Sequence, residues 1–462
     1  MTRPLVEADE NWPGRLGWTG GGEHVLGEIE SRIEVVDERA IAHYEDLRLE
    51  SVFQPVISLA HGRAVGFEAL VRAFPRQERH SIPPADVFVR AAERGESVLV
   101  DGLCRALHLV NFELQQVKDR WVFVNMTPSS ILATGAPDPL FGLILDRHGV
   151  PANRVVIEIL ESKTYDEQML ADVVRHFRDL GCVVALDDFG AGQSNFERIW
   201  RIGPDVVKLD RSMLEEATRE PRVRRIMPGL VALLHEAGCL VVMEGIESEH
   251  QALIAMEMDV DFVQGFHFGV PSPKINGQSA HADAMKRLFQ KFRSRMSHQN
   301  VSVRSALDRY TRALDRGAMK LVGGVVLDVA CSEVLELPGV DRCYLLDGDG
   351  VQVGRALLTD RHLARTDPRY QPFADCDGAN WGRRLYFRRA VTRPGIVQIS
   401  QPYLSMTDAR SCITLSIGIA LNGQQHVLCA DLDWESWEPM SSPPTWRPPP
   451  TLGWETLEDE PD

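Results

Sequence analysis

The sequence predicts an α/β fold in which a (β/α)8-type barrel precedes a smaller α+β domain. Runs rich in Val, Ile and Leu alternate with helix-like segments from Ser51 to about Pro273, and buried parallel strands have this continuous apolar character. A doubly wound sheet is the alternative, but no glycine-rich phosphate loop follows the first strand. The strand candidates are Val52–Leu59, Ala64–Leu70, Trp121–Asn125, Val155–Leu160, Val183–Asp187, Val206–Asp210, Leu240–Glu244 and Phe262–Gln264.

Changes in composition divide the chain into five expected segments. A helix is expected over Glu23–Leu49, before the barrel. Runs such as RCYLLDGDGVQVG, with a DGDG turn, predict a small antiparallel sheet near the C-terminus. The expected segments are an N-terminal tail and leading helix (1–45), the barrel (46–275), a charged helical linker (276–317), the second domain (318–437) and a Pro-rich, acidic, disordered tail (438–462).

Composition limits the classes of partner and the compartment. The formal net charge of −16 argues against broad binding to nucleic acid or to an anionic membrane, both of which need a basic surface. No apolar stretch is long enough to span a bilayer, and the N-terminus lacks the apolar core of a signal peptide. The eight cysteines show no CxxC spacing, which indicates reduced thiols. We therefore expect a cytoplasmic protein.

Polar side chains lie at the ends of most strand candidates, where α/β folds carry their chemistry. The run VVALDD ends in the paired acids Asp187 and Asp188, and VVKLD ends in Lys208 and Asp210, which share one strand face. A single acid at such a position is most often a solvated rim residue, but here the pattern recurs from strand to strand. The other strand-end residues are Glu68, Asn125, Glu158, Glu244 and Gln264.

This set of residues indicates metal-assisted chemistry at phosphorus. Buried carboxylates that converge need cations to offset their charge. Oxygen ligands without His or Cys favour Mg²⁺ or Mn²⁺ over zinc. Two such ions suit in-line displacement at a phosphate, and Lys208 could orient the attacking water or offset developing charge.

An ordered series of motifs resembles the EAL domain of cyclic-di-GMP phosphodiesterases. Glu68-Ala69-Leu70 matches the signature that gives this family its name. The resemblance implies a modified TIM-type barrel that hydrolyses one phosphodiester of cyclic-di-GMP to linear pGpG with two Mg²⁺ or Mn²⁺ ions. The matching segments are FQPVISL, FEALVR, VFVNMTP, VVIEILES, LDDFGAG, VVKLD, VMEGIES and VQGFHFGVP.

The resemblance also implies a role for each matching residue. Lys208 is implied to orient the water, and Glu244 to act as its general base or partner. The implied metal ligands are Glu68, Asn125, Glu158, Asp187 and Asp188, with Asp187 shared between the two ions. The implied substrate-binding residues are Gln54, Arg72, Asp210 and Gln264, and the implied loop-supporting acids are Glu161 and Glu247.

The chain departs from the family pattern after GAG, where Gln193-Ser194-Asn195 replaces an aromatic and small residues. Two other readings of the barrel stay open: a non-catalytic cyclic-di-GMP receptor and a scaffold for partner binding. Such receptors typically lack the EAL glutamate or one paired aspartate, and this chain has all three, which favours an enzyme. A homodimer is expected. The second domain resembles PAS/Cache-like modules and could sense a small molecule or serve dimerisation.

Overall fold

The computed structural model describes residues 21–76, 80–126, 139–160, 167–192, 196–275, 279–365, 376–406 and 410–434. The chain divides into two compact units, Met1–Phe292 and Arg293–Asp462, and each unit has its own apolar core. Within the described ranges, no helix is both long and apolar enough to cross a membrane. All eight cysteines are buried, and none of them forms a disulfide.

The first unit begins with a helix and a β-hairpin. The expectation of one helix over Glu23–Leu49 is wrong, because helix α1 ends at Ser31. The β-branched residues that follow favour an extended chain, and Asp37 and Glu38 form a two-residue turn with φ of 50° and 63°. The β-branched run and the turn both act locally, and together they interrupt the helical pattern. The elements are α1 (Gly21–Ser31), β1 (Ile33–Val36), β2 (Arg39–Tyr44) and β3 (Leu47–Ser58).

Eight strands close into a barrel, as the sequence predicts. Seven of them follow β3: β4 (Arg63–Pro75), β5 (Trp121–Met126), β6 (Val155–Leu160), β7 (Val183–Phe189), β8 (Val206–Leu209), β9 (Leu240–Met243) and β10 (Phe262–Val263). Neighbours from β4 to β10 are parallel, whereas β3 runs antiparallel to both β4 and β10. The short turn between Ser58 and Arg63 explains this reversal, since a parallel connection needs a crossover of a dozen or more residues.

Helices follow most of the strands and cover the outside of the barrel. The core between strands and helices is large and apolar. Among the described residues, these helices are α2 (Pro84–Glu93), α3 (Ser97–Leu114), α4 (Pro139–His148), α5 (Glu167–Asp179), α6 (Phe196–Ile202), α7 (Arg211–Arg219), α8 (Pro221–Glu236) and α9 (Glu249–Met258).

Inside the barrel, an apolar layer lies beneath a polar one. Buried apolar side chains, among them Val56, form an interior cluster separate from the outer core. Side chains two positions apart on a strand point to the same side, so the next inward residue on each strand enters the barrel mouth. The pairs are Phe123 and Asn125, Val156 and Glu158, Ala185 and Asp187, Val206 and Lys208, Val242 and Glu244, and Phe262 and Gln264.

The second unit is an antiparallel sheet with helices. Its strands lie in the order β12-β11-β16-β15-β13, and β14 pairs with β15. Tyr310 and Leu314, which fall within the expected linker, lie in its apolar core. The strands are β11 (Val340–Asp347), β12 (Leu357–Leu358), β13 (Gln398–Ile399), β14 (Tyr403–Leu404), β15 (Ser411–Leu421) and β16 (Gln424–Asp433). The helices are α10 (Ser279–Val322), which begins in the first unit, α11 (Leu327–Leu335), α12 (Asp360–Arg365) and α13 (Leu385–Thr392).

Candidate active site

Lys208 lies at the centre of the barrel mouth and is almost fully buried. Its Nζ contacts carboxylates from four other strands or strand ends. The distances are 2.5 Å to Glu158 Oε1, 2.7 Å to Glu244 Oε1, 3.0 Å to Asp187 Oδ1 and 3.8 Å to Glu68 Oε2. Parallel strands bring these groups together because their carboxyl ends meet at the same rim.

Side-chain amides fix the orientation of Glu68. Asn125 Nδ2 donates to Glu68 Oε1 at 3.2 Å, and Gln264 Nε2 donates to Glu68 Oε2. Gln54 lies opposite Glu68 in the β3–β4 pair, and its Nε2 donates to Gly269 O at 3.2 Å. Each oxygen of the Glu68 carboxylate therefore has its own amide donor, which leaves little freedom for the group to rotate.

The carboxylates outnumber the ammonium group of Lys208, and burial raises the pKa values of two of them, Glu158 and Glu244. Burial raises the pKa of Glu158 well above its usual range, with the negative charge of Glu68 adding to the effect. Burial also raises the pKa of Glu244 to about 7, against the opposing charge of Lys208. For Lys208, burial acts to lower the pKa, but Asp187, Glu158 and the other carboxylates outweigh it and raise the pKa well above its ordinary value.

The residues at the mouth fit a divalent cation. Asp187, Asp188 and Glu244 each offer a carboxylate oxygen, and these oxygens lie within 4.8 Å of one another. Glu158 Oε2 is buried and has no hydrogen-bond partner among the described residues, a costly state for a carboxylate oxygen without a cation. The donors are carboxylates and amides, which hard cations such as Mg²⁺, Mn²⁺ and Ca²⁺ prefer.

The end of β7 has an irregular backbone that separates the paired aspartates. Its register against β8 shifts between Leu186 and Phe189. Asp188 has a φ of 57°, in the left-handed region that few residues other than Gly, Asn and Asp adopt. Gly190 follows with a φ of 100°. Burial and the adjacent Asp187 raise the pKa of Asp188, so the two carboxylates share one electrostatic environment.

The remaining candidate residues lie around this centre or outside the described part. Burial lowers the pKa of Arg72, and the charge of Glu68 acts against that effect. Asp210 caps helix α7 by accepting from the backbone N–H of Ser212 at 3.0 Å. Glu247 is exposed, and its N–H donates to Gln251. Glu161 and the segment Gln193-Ser194-Asn195 lie outside the described residues.

The structure adds one possibility that sequence reasoning missed. Glu244 was expected to act as a base, but it lies in the same acid cluster as Asp187 and Asp188 and could also ligate a cation. The available signal was its position at the end of an apolar run, VVMEG, which it shares with the expected ligands. Only the closed barrel shows that the ends of β7 and β9 bring these three carboxylates together.

Residues 38–271 match the EAL domain family, which is just over half of the 462-residue chain. The chain belongs to the EAL domain family. The match confirms the resemblance that the ordered motifs indicate, and it extends toward the N-terminus to Glu38, in the turn between β1 and β2.

Curated relatives of this EAL protein match over about half of the chain. A protein of Azorhizobium caulinodans is 30% identical over 269 residues, which is 54% of this chain and 35% of that protein. The cyclic di-GMP phosphodiesterase RocR of Pseudomonas aeruginosa is 27% identical over 258 residues, which is 54% of this chain and 64% of RocR. The chain thus spans less than two thirds of the length of either relative.

A solved structure matches most of the chain. The YkuI protein of Bacillus subtilis, which has an EAL domain and was solved in complex with substrate c-di-GMP and calcium, aligns with a TM-score of 0.71 and 20% identity. The alignment covers 91% of this chain and 100% of that chain. The similarity shows the fold, and its extent reaches beyond the first unit.

Proposed function

We propose that this chain hydrolyses cyclic-di-GMP to linear pGpG. The observation that carries the proposal is the complete set of strand-end carboxylates and amides that surrounds Lys208 and leaves a carboxylate oxygen of Glu158 without a hydrogen bond among the described residues. Membership of the EAL family supports it, as do curated relatives whose names are cyclic di-GMP phosphodiesterases.

Two Mg²⁺ or Mn²⁺ ions would act as cofactors at this site. Such cations supply Lewis-acid polarisation of phosphoryl oxygens and neutralise charge. The short distances among the carboxylate oxygens of Asp187, Asp188 and Glu244 support a position for one ion. The buried Oε2 of Glu158, which lacks a hydrogen bond among the described residues, supports a position for the other ion, beside Glu68. The proposed ligands are Glu68, Asn125, Glu158, Asp187, Asp188 and, as an addition, Glu244.

The chain's own groups would position the substrate and move protons. Glu244, whose pKa burial raises to about 7, can accept a proton from a water near neutral pH when it does not itself ligate a cation. Lys208 Nζ holds Glu158, Asp187 and Glu244 together and can donate to an oxygen that gains negative charge. The planar guanidinium of Arg72 suits a phosphate, with Gln54, Asp210 and Gln264 at the edge of the site.

Replacing Glu68 tests this assignment. We expect Glu68→Ala to lower the rate of pGpG formation by at least about a hundredfold, because a group that acts through the metal site is lost. Turnover of cyclic-di-GMP is measured with Mg²⁺ or Mn²⁺. Ca²⁺ as the sole metal should inhibit, since its longer and looser coordination suits a two-ion site poorly.

The matched control is Glu249→Ala, which removes an exposed acid that pairs with Lys291 on the surface. This variant should keep the parent rate. Full activity of Glu68→Ala would contradict the proposed ligand set. Binding of cyclic-di-GMP by the unmodified protein without any pGpG would favour the non-catalytic receptor instead.

We also propose that the protein is a cytoplasmic homodimer whose second unit is a PAS/Cache-like regulatory module. An antiparallel sheet with helices beside it is compatible with such a module. The alternative is a purely dimerising role.

A further inference from the structure

Helix α13 and its flanks form a cationic surface on a strongly acidic chain. Five arginines occur within residues 383–393, whereas the chain has a net charge of −16. Within the described part of the chain, none of the five forms an ion pair. We call this surface the arginine face, and it consists of Arg383, Arg384, Arg388, Arg389 and Arg393.

The fold holds this face outward. Tyr386, Phe387 and Ala390 are buried on the opposite side of α13, which packs on β15. Ser416 Oγ of β15 donates to Tyr386 O at 2.9 Å and fixes the helix to the sheet. Because one side of α13 is anchored, its arginines lie at the surface, where Leu385 is also 59% exposed.

Arg384 is the one arginine of this face that packs over an aromatic ring among the described residues. Its guanidinium lies over the Tyr403 ring, 5.1 Å from the centroid. Its Nε is buried and has no hydrogen-bond acceptor among the described residues. A buried guanidinium donor without an acceptor is unfavourable.

The chain itself carries a segment of complementary charge. Residues 435–462 contain seven carboxylates and one arginine. They also contain Trp437, Trp446 and Trp454, whose rings suit stacking against guanidinium groups.

This segment begins at the edge of the arginine face. The backbone N–H of Trp434 donates to Ser411 O at 2.9 Å, and Ser411 pairs with Leu404 in β14. Leu404 follows Tyr403, the ring over which Arg384 lies. Arg383 also contacts Met406, just after β14. The acidic segment therefore begins one strand away from the arginines whose charge it complements.

We propose that residues 435–462 dock on the arginine face of the same chain. The carboxylates would pair with the guanidinium groups of this face, which form no ion pair among the described residues. Rising ionic strength would release the docked segment, because surface pairs are screened by salt.

Chymotrypsin cleavage after Trp454 in the full chain tests the proposal. We expect slow release of residues 455–462 at low salt. The variant Arg388→Glu/Arg389→Glu/Arg393→Glu should release them at least about fivefold faster, since several surface pairs of modest strength are lost together. Adding Glu458→Lys/Asp459→Lys/Glu460→Lys to that variant should restore slow cleavage.

Two further variants keep the result interpretable. Arg222→Glu/Arg225→Glu reverses two exposed arginines of α8 and should leave cleavage slow. Glu458→Gln/Asp459→Asn/Glu460→Gln leaves all described residues untouched and should speed cleavage even if the α13 variant misfolds. Equal rates in all variants would overturn the proposal and leave a solvated face. Protection that disappears on dilution would overturn it in favour of a second copy.

Discussion

Lys208 brings a positive charge into a region where its neighbours are carboxylates. An isolated buried ammonium group is expensive, and the four surrounding acids offset that cost at short distances. Removal of the lysine would leave those acids facing one another without a counter-charge. The same arrangement explains why the pKa of Glu158, raised by burial, stands well above its usual range even beside a cation.

We expect Lys208→Met to lower the free energy of unfolding by about 3–5 kcal/mol in chelator, because breaking a buried ion pair leaves uncompensated charge. Urea unfolding with and without Mn²⁺ measures the effect, and Mn²⁺ should recover part of the loss. Lys291→Met, which removes an exposed pair with Glu249, should cost less than about 1 kcal/mol. Equal losses for the two variants would contradict the central role of Lys208.

Backbone hydrogen bonds join the segment after β9 to the segment after β10. Ile246 N–H donates to Gln264 O at 3.0 Å, and His267 N–H donates to Ile246 O at 2.9 Å. Gly265 has a φ of 155°, and a methyl group there would lie 2.6 Å from the carbonyl carbon of Ile246. This contact positions Gln264, whose amide orients Glu68.

Gly265→Ala should therefore destabilise the barrel by about 1–3 kcal/mol, because backbone cannot move aside as a side chain can. It should also lower activity by shifting Gln264. Thermal unfolding and turnover measure the two effects. Gly27→Ala in α1 is the control, since nothing lies within 4 Å of the added methyl, and there the substitution should stabilise by up to about 1 kcal/mol through helix propensity. We expect the two substitutions to change the free energy of unfolding in opposite directions, and equal changes would refute the steric argument.

At the scale of the whole molecule, each of the two compact units has an apolar core of its own. The candidate metal site lies entirely within the first unit. A ligand that binds only a native state stabilises that state by mass action, and the effect applies to the unit that contains the site.

We expect calorimetry to show two unfolding transitions, of which Mn²⁺ raises only one. At a concentration of a hundred times its Kd, the cation would add about 2.7 kcal/mol to the stability of the first unit. Glu68→Ala should abolish or reduce the shift without changing the other transition. A shift of both transitions, or of neither, would argue against a metal site confined to the barrel.

Local patterns account for the elements that the sequence predicts correctly and for its clearest error. Continuous apolar runs mark the barrel strands because burial on both faces demands them. The helix expected over Glu23–Leu49 fails because Asp37 and Glu38 adopt positive φ in a hairpin turn, and positive φ is uncommon for a residue such as Glu. The extent of the second unit's core was also missed, since Tyr310 lies in a stretch whose charged periodicity indicates only a helix.

By itself, the sequence determined which polar residues lie at the ends of the strands. It also determined the order of motifs that marks the EAL family. Tertiary structure alone decided that β3 closes the barrel antiparallel to its two neighbours and that Lys208 contacts acids from four separate segments. The physical reason is that apolar runs and motif order are properties of residues close together in the chain. Closure of the barrel and convergence of its charged side chains arise from contacts between residues far apart in the chain.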